Sequence, residues 1–129
     1  MIKEIHDLLK FLVDIALYGP STLNEISSRE GLSLDNTKKI SIILIEHQLI
    51  DQVDHFYNLN KPAQDYIISE LIQEVFHSFT NIKCLKGDHE CSQFENCSMN
   101  CFWYGIEKVF FEYADGYTLE DLKNGYCFN

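Results

Sequence analysis

Apolar side chains punctuate the first half of the chain at helical intervals. Ile2, Ile5, Leu9, Leu12, Val13 and Ala16 share one face, which predicts an amphipathic helix over residues 2–18, ended by Gly19-Pro20. Ser21 and Asn24 lead into a short helix over about 22–29, stopped by Gly31. Within "LSLDNTKKISIILIEHQ", Ser33 is a good N-cap for a third helix over about 34–47. The pattern then changes period. "LIDQVD" and "FYNLN" are short β-leaning runs around Asp54-His55 and predict a small hairpin. Pro62 suits the first turn of a long helix, "PAQDYIISELIQEVFHSF". Residues 84–101 carry few secondary-structure signals, whereas "FWYGIEKVFFEYA" at 102–114 reads as an aromatic-rich helix. Thr118 opens a last short helix, "TLEDLKN", with acidic residues in its first turn. The order helix, short helix, turn, helix, hairpin is that of a winged helix-turn-helix, and "REGLS" supplies the glycine-containing turn.

Composition narrows the chemistry. With 129 residues, 46% of them hydrophobic, the chain makes one globular domain. Acidic residues interrupt the first apolar run too early for a signal peptide, and no stretch reaches the roughly 18–20 apolar residues of a membrane span. A cytoplasmic, reducing setting is expected, and it disfavours structural disulfides. "CLKGDHECSQFENCSMNC", residues 84–101, holds four of the five cysteines, so metal or redox chemistry is the natural reading. Four thiolates could hold zinc tetrahedrally, or the cysteines could act as thiol sensors without metal. His89, inside the loop, is a possible ligand but reads more readily as a solvated loop histidine, and Cys127 reads as a bystander near the chain end. No nucleophile–base pair, phosphate loop or paired-carboxylate signature points to an enzyme. The formal net charge of −10 opposes non-specific binding to a phosphate backbone, so DNA binding would need a local basic patch.

"STLNEISSREGLSLDNTKKISIILIEHQLI" and the first helix, ending "LVDIALYGP", resemble the helix-turn-helix of the Rrf2 family of bacterial transcriptional regulators. The resemblance continues through Cys84, Cys91 and Cys97, Trp103, and "YTLEDL" at 117–122. It implies a mainly α fold with a small β-hairpin: a winged helix-turn-helix at 1–78, a cluster-binding loop at 79–101, and a dimerisation helix with the C-terminal segment at 102–129. It also implies a DNA-binding homodimer that senses redox, nitric oxide or iron status through a [2Fe–2S] or [4Fe–4S] cluster on the three cysteines. Soft thiolates suit such clusters, although the spacing here is C-x6-C-x5-C, one residue longer in the first gap than the family's usual pattern. Asn100 stands where some members place a histidine as fourth ligand. Cys101 beside it is one substitute, and His6 or Asp7, near the position from which other members recruit a ligand across the dimer, is another. Zinc remains the alternative metal.

The same comparison exposes departures. Candidate DNA contacts on the third helix are Asn36, Thr37, Lys38, Lys39 and Ser41, but Ile43, Ile45 and Glu46 follow where relatives carry cations. The wing, "DQVDHFYNLN", lacks arginine and glycine and includes Asp51 and Asp54. Two readings follow. Either Lys3, Lys10, Arg29, Lys38, Lys39 and Lys61 sustain weak DNA binding, or the scaffold docks a protein partner through a surface that includes Ile42, Ile43 and Ile45. Phe102, Val109, Phe110 and Tyr113 are the expected homodimer contacts.

Overall fold

The computed structural model describes residues 2–76 and 100–125. Cys84, Cys91, Cys97, His89 and Cys127 lie outside the described residues, as does the end of the predicted helix beyond Phe76. Among the described residues, six α-helices and one hairpin follow in the order α1 (Ile2–Tyr18), α2 (Leu23–Glu30), α3 (Leu34–Glu46), β1 (Ile50–Val53), β2 (Phe56–Leu59), α4 (Ile68–Phe76), α5 (Asn100–Asp115) and α6 (Leu119–Lys123).

α1 is the spine. Its face Ile5, Leu8, Phe11, Leu12 and Ile15 is buried, and α2, α3, β2 and α6 all pack on it. Gly19, at φ 74°, turns the chain out of the helix in a conformation that a side chain would strain. Ser21 then exchanges two backbone hydrogen bonds with Tyr57, at 3.1 and 2.8 Å, and so adds a short third rung to the hairpin. Thr22 caps α2: its hydroxyl accepts from Glu25 N while Glu25 Oε1 accepts from Thr22 N, a reciprocal capping box. Gly31 closes α2 at φ 67°, and Ser33 caps α3 as its sequence position predicts.

The hairpin pairs Ile50 with Leu59 and Val53 with Phe56. The two-residue turn Asp54-His55 places Asp54 at φ 55°, a conformation aspartate tolerates better than most residues. Ile50 and Tyr57 face the core, where Tyr57 meets Phe11 edge to face at 6.3 Å.

The long helix predicted from Pro62 is the clearest correction. Pro62 precedes only a single 3₁₀ turn, Ala63–Asp65, and α4 starts at Ile68. Tertiary pairing outweighs local propensity here. Tyr66 is fully buried and donates from its hydroxyl to Leu49 O at 2.6 Å, while Ile68 N and Leu119 N bond across to Tyr117 O and Tyr66 O. A helix through residues 62–68 would forfeit those bonds.

α5 packs on α4 through part of its surface only. Phe110 and Phe111 lean on the core, and Ala114 and Tyr117 are buried below them. Phe102, Ile106, Val109 and Tyr113, spaced 4, 3 and 4 residues apart, form an exposed apolar stripe.

Candidate nucleic-acid interface and metal ligands

α3 is the second helix of the helix-turn-helix, and only part of its polar set faces outward. Lys38 and Lys39 are exposed. Thr37 and Ser41 are buried, with their hydroxyls donating back to Ser33 O at 2.8 Å and Lys38 O at 2.6 Å, so neither is presented to a DNA groove as expected. The signal was present in the chain: Thr37, Ile40, Ser41 and Leu44 fall on one face at i, i+3, i+4 and i+7. Asn36 is half-buried and donates from Nδ2 to Asp7 Oδ2 at 3.0 Å, tying the start of α3 to α1. Of the isoleucine trio, Ile43 and Ile45 pack on the core, and only Ile42 stands out, 49% exposed.

The other cations divide in the same way. Arg29 is committed inside the subunit. Its Nε and Nη2 donate to the two carboxylate oxygens of the fully buried Asp14 at 3.0 and 2.6 Å, Nη2 also reaches Ser21 Oγ at 2.6 Å, and the guanidinium lies 4.4 Å from the Tyr18 ring centre. Its pKa is raised, chiefly by the bond to Asp14. Lys3 donates to Asp7 at 2.9 Å, and Lys61 sits over the Tyr66 ring at 4.7 Å. Burial works against ionisation of Asp7, but its bonds from Lys3 and Asn36 prevail and hold the carboxyl below its usual range. Glu30 behaves in the opposite sense: burial, then the neighbouring Asp14 carboxylate, pushes its pKa up.

A groove of about 450 Å³ separates the α2–α3 corner from the hairpin. Lys38 enters it from α3 and His55 from the hairpin turn, over an apolar floor of Leu23, Leu34 and Tyr57. The wing tip is exposed throughout and carries Asp51, Val53, Asp54 and Phe56 beside His55. A second, apolar groove of about 380 Å³ runs between α1, α4 and α5, lined by Ile2, His6, Leu9, Ile72, Phe110 and Tyr113 among others.

Among the described residues no group of three or more His, Cys, Asp and Glu side chains could hold a metal. Cys101 is the second residue of α5, four positions beyond Cys97, so a ligand there would stand at a helix start. Of the two α1 candidates, His6 is exposed at the apolar groove, whereas Asp7 is buried and engaged by Lys3 and Asn36. No helix among the described residues is long and apolar enough to cross a membrane.

Comparison with known proteins agrees with this architecture. The model of the Rrf2 family, described as an iron-dependent transcriptional regulator, matches residues 2–125. The HTH-type transcriptional regulator IscR of Photorhabdus laumondii is 27% identical over 119 residues, 88% of this chain and 72% of that protein. Among solved structures, the global cysteine regulator CymR of B. subtilis superposes with a TM-score of 0.71 at 19% identity, covering 94% of this chain and 93% of that one. IscR of T. potens gives 0.72 at 20% identity, covering 95% and 84%. These structures share the mainly helical winged-helix fold with its two-stranded hairpin. The chain is a member of the Rrf2 family of transcriptional regulators.

Proposed function

We propose that this chain is a cytoplasmic, DNA-binding homodimer whose affinity for its operator is set by an iron–sulfur cluster on Cys84, Cys91 and Cys97, with Cys101 as fourth ligand. The observation that carries the DNA half is the pair Lys38 and Lys39, exposed in the first turns of α3, where the second helix of such a motif meets the groove. Support for the cluster half comes from the donor set: four thiolates within residues 84–101 match the soft ligands iron–sulfur centres need. When bound, the cluster supplies a redox- and nitric-oxide-reactive centre. His6 is the better α1 substitute for Cys101, because Asp7 would have to abandon both Lys3 and Asn36.

The test is anaerobic purification with iron and sulfide. A brown protein with visible charge-transfer absorption is expected, bleached by Cys84→Ala, Cys91→Ala or Cys97→Ala and indifferent to Cys127→Ala. A colourless protein holding stoichiometric zinc would replace the cluster with a tetrahedral zinc site on the same ligands. A colourless, metal-free protein would favour a thiol sensor, a reading supported by the solved oxidized form of CymR from Staphylococcus aureus among the similar structures. A second reading of the winged-helix face, docking of a protein partner, is favoured by the acidic wing at Asp51 and Asp54 and by exposed Ile42.

A further inference from the structure

The wing's electrostatics raise a specific difficulty for DNA binding. The described hairpin carries two carboxylates, Asp51 and Asp54, and no lysine or arginine. Yet the groove beside it, where a sugar–phosphate strand would pass between α3 and the wing, is not without basic groups. Lys38 lines one wall and His55 the other. His55 is exposed at the hairpin turn and makes no hydrogen bond or ion pair among the described residues. Histidine is the side chain whose charge normally changes between about pH 5 and 8.

We propose that His55 is the wing's phosphate contact: protonated, it joins Lys38 in holding one phosphate of duplex DNA in this groove, so that DNA binding takes up a proton. The proposal rests on the DNA-binding reading above and adds to it the residue that replaces a basic wing. The titratable residues that line the groove with His55 are Lys38 and Tyr57, and the hairpin that bears His55 also carries Asp51 and Asp54. A bound phosphate lies between the two basic groups and favours the charged form of both. Affinity therefore falls as pH rises. The expected gain in affinity on acidification is up to about tenfold per protomer.

The experiment is a fluorescence-anisotropy titration of the full-length protein against a labelled, mixed-sequence duplex of about 30 base pairs. It is run at pH 6 and pH 8 and about 50 mM salt, where electrostatic binding is strong and independent of operator sequence. Tighter binding at pH 6 is expected for the wild type. His55→Gln should bind at pH 6 no better than at pH 8, and His55→Arg should bind at pH 8 more tightly than the wild type does. Circular dichroism confirms that each variant is folded. The proposal is overturned if His55→Gln keeps the wild-type pH dependence, or if His55→Arg gains nothing at pH 8. Binding that is flat in pH but still lost with Lys38 and Lys39 would sink this proposal alone. Absence of binding by every form, His55→Arg included, would remove the DNA-binding reading along with it.

Discussion

Removing the Arg29 guanidinium strands the Asp14 carboxylate, which has no exposure to water. Breaking a buried pair from one side costs about 3–5 kcal/mol, so Arg29→Ala should lower the urea midpoint sharply. Arg29→Lys should rescue little, because an ammonium cannot reproduce the two-point contact made at 2.6 and 3.0 Å. A regulator that used Arg29 mainly on DNA would instead keep its stability and lose only binding. Glu30 supplies the pH-dependent counterpart. Its pKa is raised in the folded state by burial and by Asp14, with Lys10 and Arg29 opposing. A raised carboxyl contributes stability that is full below its unfolded pKa and is lost as pH rises through the folded one. Glu30→Gln should therefore stabilise the protein at neutral pH relative to wild type and flatten the loss between acid and neutral conditions. Chemical denaturation at several pH values reads this directly.

Single elements show how far the chain's pattern reaches. α1, α3, the hairpin, α5 and the Thr118 cap follow from periodicity and capping residues, since a strong apolar stripe and a good N-cap are both local signals. The start of α4 was illegible because what stops a helix at Pro62 lies far away: Tyr66 reaches Leu49, and residues 66–68 pair with 117–119. The recognition helix was half legible. Its lysines stand out as expected, but the Thr37 and Ser41 hydroxyls satisfy themselves on their own helix and face inward. Arg29 could not be separated from free surface cations by sequence, because its partner Asp14 lies on α1, 15 residues away; the Lys3–Asp7 pair, by contrast, is a local i,i+4 pair on α1. The isoleucine run makes a prediction of its own. Ile42→Lys should fold normally, as that side chain is exposed, whereas Ile43→Lys and Ile45→Lys should destabilise by forcing a charge toward the core, a contrast that thermal unfolding will report.

At the scale of the whole molecule, a two-fold partner is the natural cover for the stripe Phe102, Ile106, Val109 and Tyr113 on α5. Phe110, half-buried in its own subunit, lines the adjoining groove with Ile2 and Leu9. Val109→Asp should leave the fold intact and shift sedimentation at micromolar concentration from dimer to monomer. A wild-type monomer under those conditions would contradict the homodimer. The central claim, that this acidic chain binds DNA through the exposed start of α3, meets its most direct test in the salt dependence of binding. Anisotropy titrations with a duplex from the protein's own promoter region, from about 50 to 200 mM salt, give the log–log slope, to which each phosphate contact contributes roughly 0.9. Measured binding that weakens with salt, and a double Lys38→Ala, Lys39→Ala variant whose slope is shallower by about two units per protomer, is the predicted result. A slope and affinity unchanged in that variant, or no binding even at about 50 mM salt, would contradict it.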